Sequence, residues 1–242
     1  MKSYGFLSYF TLLFACIWPT ILTLFYFILL PDWGMEREAK AFYGIGKALQ
    51  FILPAAAIWL GWSFLPSFNL LASLSRKGIC VGIITGIAIF AFMFLGYTSW
   101  IQNCDWFIAS GAKEAIRQKM SVMGVASPAA FIVLGVFYCI FHSALEEYYW
   151  RWFVYGSMTH TCSVLFSGIV SSLMFMSHHV LLLGVYFGWQ NVFTYLCALG
   201  VAVGGLIWVW IYHANCSLTG AWISHIGPDA AIFTIGYLIL FS

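Results

Sequence analysis

Charge is what this chain has least of. Asp, Glu, Lys and Arg make up 7% of its 242 residues, while 63% are hydrophobic. A soluble domain carries roughly 25% charged residues, so there is too little charge here to cover a water-facing surface. No basic run is present of the kind that follows a nucleic-acid backbone, and the net charge is only +2, so no nucleic-acid partner is expected. The cysteines, Cys16, Cys80, Cys104, Cys139, Cys162, Cys197 and Cys216, are odd in number, scattered and free of any CxxC pair. That spacing indicates neither a zinc knuckle nor a disulfide framework. HExxH is also missing, and with it the usual zinc-protease helix.

What the chain does have is a succession of apolar runs of about 20 residues, the length a helix needs to cross a bilayer. Spanning β-strands would be about 10 residues of alternating pattern. Backbone polar groups in lipid must be satisfied within the element, which makes the runs helices. The fold class is therefore all-α: a polytopic transmembrane helix bundle of about seven spans. They are read at residues 4–30, 48–66, 79–100, 128–151 and beyond, 163–187, 192–212 and 218–241. The first run outlasts a signal-peptide core and is taken as a retained span. Between spans three and four, Ile108, Ala112, Ile116, Met120 and Met123 recur at helical spacing with Lys113, Glu114, Arg117 and Lys119 between them. That pattern predicts an interfacial amphipathic helix. Residues 1–127 read as amino-terminal helices and connector, and 128–242 as the part that carries chemistry.

From residue 152 onward the only Asp, Glu, Lys or Arg is Asp229, yet the same stretch holds His160, His178, His179, His213 and His225. Just before it stands Glu146-Glu147-Tyr148-Tyr149-Trp150-Arg151. A carboxylate at mid-bilayer costs about 2.5–3.5 kcal/mol on insertion scales, so two adjacent ones need partners or a function. Arg151 lies four residues after Glu147, the favoured order for an ion pair on one helix face. Glu146 points about 100° away, toward a cavity or another helix. On span five stands His178-His179. On span seven, His225 and Asp229 share a face, although Gly227-Pro228 between them predicts a kinked or broken helix. His142, His160 and His213 are expected to be packing residues or solvated span ends.

Order and spacing make a family visible. Glu146 to Arg151 resembles an EExxxR motif, Phe175 to His179 an FxxxH motif, and His225 to Asp229 an HxxxN/D motif. Together they resemble the CPBP family of CAAX proteases and bacteriocin-processing enzymes, also called Abi, over residues 128–242. The resemblance implies an intramembrane endopeptidase. Glu146 would activate water, with Glu147 and Arg151 supporting it and Phe175 shaping the pocket. His179 would hold the water or complete the base, while His225 and Asp229 stabilise the oxyanion. Zinc is the optional cofactor, with Glu146, His179 and His225 as its ligands; a glutamate-activated water needs no metal. The substrate would be a membrane-associated peptide or protein, and the setting a multi-pass protein of the bacterial plasma membrane. Two other readings stay open. Intramembrane Glu, His and Asp also build the relays of proton-coupled transporters, although no internal repeat of the transporter kind is visible. A non-catalytic scaffold or immunity protein of the same fold would keep these residues for stability.

Overall fold

The structure is a computed structural model and describes residues 6–60, 62, 65, 66, 73–122, 124, 125 and 127–241. Among these residues all regular elements are helical. Seven helices are long and apolar enough to cross a membrane: Ser8–Asp32, Glu36–Trp59, Arg76–Asn103, Pro128–Met158, Val164–Phe187, Val192–Asn215 and Leu218–Phe241. They are called spans one to seven.

Three expectations are corrected. Span two starts at Glu36 and ends at Trp59, well before its expected limits of 48–66. Glu36 and Glu38 occupy its first turn, where carboxylates complement the helix dipole. Arg37, Glu38 and Lys40 are exposed while Ala39 and Gly46 are buried, so the charged segment continues the helix as an exposed face. Span seven, expected to be kinked or broken at Pro228, is not broken there: one helix runs from Leu218 to Phe241 with the proline inside it. The third concerns the amphipathic connector, which forms two pieces, Asp105–Ala109 and Ala112–Val122. Gly111 separates them with φ +66°, a left-handed conformation that a helix cannot run through. Ala112 and Ile116 pack with Tyr97, Phe107, Phe187, Ile235 and Ile239, so the apolar stripe covers protein. Ile108 stays exposed, and Met123 lies outside the described residues.

The chain divides into two compact units. Unit one comprises Met1–Asn69, Tyr148–Val185 and Thr194–Val209; unit two comprises Leu70–Glu147, Tyr186–Phe193 and Trp210–Ser242. In unit one, Tyr149 donates its hydroxyl to the Ala15 carbonyl at 2.7 Å, and the Trp18 indole donates to the Gly46 carbonyl at 3.0 Å. These bonds tie span four to span one, and span one to span two.

In unit two, spans three and seven approach backbone to backbone. Gly78, Gly82 and Gly86 recur every fourth residue and so form one stripe along span three. A Cβ added at Gly82 would run into the Gly220 carbonyl, and one at Gly227 into the Gly86 carbonyl. Small residues permit this approach, which is how membrane helices gain contact without a hydrophobic drive between them. Thr85 donates to the Ser224 hydroxyl at 2.8 Å across the same seam. Span three thus supports the stretch of span seven that contains Pro228.

Candidate functional site

Span four is built to place its carboxylates. Ser127 caps it, accepting from the Ala130 amide at 3.2 Å, and Pro128 occupies its first turn. Two π-helical stretches, Tyr138–His142 and Tyr148–Tyr155, then flank one short α-helical segment, Ser143–Glu147. π-turns are rare and concentrate at functional sites. Their cost is a disturbed backbone ladder, and here the Trp222 indole of span seven donates to the Ile140 carbonyl at 3.0 Å. The segment held between them carries Glu146 and Glu147, both buried.

Unit two brings five polar side chains together. The His225 Nδ1 lies 2.8 Å from Glu147 Oε1. A carboxylate only accepts, so this contact has Nδ1–H donating, and it fixes the ring orientation. The opposite ring nitrogen, Nε2, lies 3.8 Å from Glu146 Oε2 and 3.9 Å from Asp229 Oδ1. His142 Nε2 lies 3.2 Å from Glu146 Oε1. His225 is 4% exposed and Glu147 0%, while Asp229 is half-buried, so the cluster has a closed side and a more open one.

Of the residues singled out in the sequence, Glu146, Glu147, His225 and Asp229 therefore converge in unit two. Arg151, Phe175 and His179 form a second group, in unit one. The Arg151 guanidinium lies 4.8 Å from the Phe175 ring centroid and 4.9 Å from that of Trp208, and Nη2 faces the Gly205 carbonyl at 3.5 Å. The two rings are 6.0 Å apart and 77° from parallel, so the buried guanidinium lies at the corner they form and is held there by quadrupole attraction. His179 Nδ1 lies 2.9 Å from the Phe175 carbonyl. A carbonyl accepts, so Nδ1 carries the proton and Nε2 becomes the ring's acceptor. His178 is buried and stacks on Trp150 with the rings 8° from parallel.

Residues missed in the sequence are His142 and the span-six pair Gly205 and Trp208. His142 had a signal: it stands one helical turn before Glu146. Its ring also packs against Tyr138, 4.7 Å between centroids and 53° from parallel. Span six contains no Asp, Glu, Lys or Arg, so nothing in its sequence pointed to a role beside Arg151.

Zinc would need three or more convergent donors. Among the described residues no group of three His, Cys, Asp or Glu side chains is arranged to hold a metal ion. As placed, Nδ1 of His225 is engaged by Glu147 and its Nε2 stands about equally far from two carboxylates. The donor set does not fit the ion.

Residues 128–231 match the family model described as type II CAAX prenyl endopeptidase Rce1-like. This segment is Rce1-like. No curated protein and no solved structure matches the chain. The Rce1-like segment starts at the first residue of span four and ends two residues after Asp229, so it contains all the motif residues. The CPBP resemblance read from the three motifs holds over it. The match supports a protease in general terms, and the seven apolar helices support an integral membrane protein.

One consequence can be measured on the folded protein. Arg151→Lys keeps the charge but loses the planar guanidinium that lies over the Phe175 and Trp208 rings. The expected result is a lower thermal midpoint in detergent micelles, equivalent to about 2 kcal/mol, the scale of a desolvated cation–π contact. An unchanged midpoint would mean that the guanidinium's contacts with the two rings contribute nothing.

Proposed function

We propose that the chain is an intramembrane endopeptidase in which Glu146 is the general base and His225 stabilises the oxyanion. The observation that carries this reading is the setting of His225: Nδ1 against Glu147, Nε2 facing Glu146 and Asp229. A gap of 3.8–3.9 Å is too long for a direct bond, but one water molecule can bridge groups at such a separation. Glu146 takes a proton from that water, whose oxygen adds to the scissile carbonyl carbon. The carbonyl oxygen becomes an oxyanion and receives a hydrogen bond from protonated His225. The C–N bond then breaks, and Glu146 passes the proton to the leaving amine. Atoms and charge balance without a further reactant.

In this reading Glu147 holds the ring of His225, and Asp229 stands beside its Nε2. His142 donates to Glu146 Oε1 and keeps the carboxylate in one orientation. For His179 we retain the water-holding role that the family resemblance implies. The substrate is proposed to be a membrane-associated peptide or protein, and the location the bacterial plasma membrane.

The test is cleavage of a fluorogenic membrane-peptide library by the purified protein, with and without a zinc chelator. Wild type should cut, and Glu146→Gln and His225→Ala should not. Cleavage lost with the chelator and restored by zinc would replace the base mechanism with a metal one. His142→Ala should lower kcat by about tenfold, the effect of losing one oriented hydrogen bond of 1–2 kcal/mol, while His142→Gln restores a donor and part of the rate. Equal rates for the two variants would remove His142 from the site.

A further inference from the structure

The first half of span four meets span seven along one stripe. Phe131, Gly135 and Tyr138 follow at helical spacing, and all three face Phe233. The Phe131 and Tyr138 rings lie 5.4 and 5.5 Å from it between centroids, and a Cβ at Gly135 would stand 3.1 Å from its ring. In an α-helix such a stripe returns at i+7, which from Tyr138 is Leu145. It is Glu146, one residue further on, that faces span seven. Glu146 is 5% exposed with its Oε2 3.8 Å from His225 Nε2, whereas Leu145 is 37% exposed. The offset of one residue comes from the π-turn Tyr138–His142, whose hydrogen bonds reach one residue further than those of an α-turn.

The π-turn leaves a carbonyl behind. The Ser143 amide bonds to the Tyr138 carbonyl, five residues back, and Ser143–Glu147 then resumes the four-residue step of an α-helix. Changing from a step of five to one of four passes over the Cys139 carbonyl. The Ser143 hydroxyl donates to it. Ser143 is completely buried, so nothing outside the protein can replace that bond. The next carbonyl, that of Ile140, accepts from the Trp222 indole of span seven at 3.0 Å. Neither Ser143 nor Trp222 belongs to a motif.

We propose that Ser143 and Trp222 are positioning residues: their hydrogen bonds to the Cys139 and Ile140 carbonyls hold the π-turn, and the π-turn sets Glu146 rather than Leu145 against His225. Without these donors the favoured form of the segment is a plain α-helix, in which every carbonyl finds an amide four residues on. With Phe131, Gly135 and Tyr138 anchored on Phe233, closing the turn shifts the residues after it by one helical step, about 100° and 1.5 Å. Leu145 then occupies the place of Glu146. That water is activated at this place rests on the endopeptidase reading; the hold on the turn does not.

Deleting Phe141, an exposed residue of the turn, supplies the reference. It removes the extra residue, so the turn closes to an α-helix with Glu146 still facing His225, and the Cys139 carbonyl takes a backbone amide. Ser143→Ala/Trp222→Phe is made in the full chain and in the chain lacking Phe141, and each protein is read by thermal midpoint in detergent and by kcat on the best library peptide. With Phe141 present, the double variant should lower the midpoint and reduce kcat by about 10²-fold, the low end of what a positioned base contributes, with KM little changed. In the chain lacking Phe141 the same substitutions should change neither. Ser143→Thr, whose hydroxyl can bond the same carbonyl, should recover most of the kcat that Ser143→Ala loses. A double variant with a lower midpoint but the kcat of wild type makes the two residues merely structural and overturns the proposal. So does an equal loss of midpoint with and without Phe141. If wild type cuts no peptide, the endopeptidase reading fails, and the midpoints alone decide whether the two donors hold the turn. If the chain lacking Phe141 does not fold, Ser143→Thr decides: a midpoint and rate no better than those of Ser143→Ala overturn the proposal.

Discussion

Glu146→Gln is expected to lower kcat for peptide-bond cleavage by about 10²–10⁴-fold, the contribution of a positioned general base. The amide matches the carboxylate in size. It can still accept from His142, which lies 3.2 Å from Oε1, so the helix segment Ser143–Glu147 has no steric reason to move. What it loses is the ability to take a proton from water. KM should change little, because the lost interaction belongs to the transition state. Single-turnover rates on the best library peptide, together with the thermal midpoint of each protein, make the measurement. Loss of rate with an unchanged midpoint supports the base role. A variant that keeps more than about a tenth of the rate eliminates it. The same substitution separates the alternatives, since a scaffold of this fold would keep its function with Gln at 146 whereas a protease would not.

The second large effect is on folding. Gly82→Leu should prevent recovery of folded monomer from detergent extracts. A Cβ at position 82 meets the carbonyl of Gly220, which is backbone and cannot swing away as a side chain would. Overpacking a core that can adjust costs roughly 1–3 kcal/mol. Here spans three and seven would have to separate along the stripe shared by Gly78, Gly82, Gly86, Gly220 and Gly227. Span seven carries His225 and Asp229, so the same variant should also lose activity. Gly96→Leu is the control: it lies on the same helix, and a Cβ there meets nothing within 4 Å. Size-exclusion profiles of the two variants make the comparison, and a Gly82→Leu protein as monodisperse and heat-stable as Gly96→Leu would show that the helices tolerate separation.

Much of the site was legible because it breaks the composition around it. Glu146, Glu147, His225 and Asp229 stand out in a chain that carries almost no other charge after residue 151, and three of them meet around one imidazole ring. The environment of Arg151 was not legible. The sequence reading placed it on an ideal α-helical wheel, but Tyr148–Tyr155 is π-helical, which changes the angular step between residues. Its aromatic neighbour Trp208 lies on span six, which no motif marked. The glycine seam had a signal in the regular spacing of Gly78, Gly82 and Gly86, yet spacing alone names no partner.

By itself the sequence determined the all-helical class, the number of spans and the residues that carry charge into the membrane. The physical reason is the same for all three: lipid offers the backbone no partners and charge no solvation, so each departure from apolar composition is informative. Only the tertiary structure decided which charges meet, that His142 belongs with Glu146, and that a proline inside span seven leaves the helix whole. Those outcomes depend on which side chains other spans present at a given depth, and on two π-turns whose cost is offset by contacts remote in sequence, such as Trp222 on Ile140.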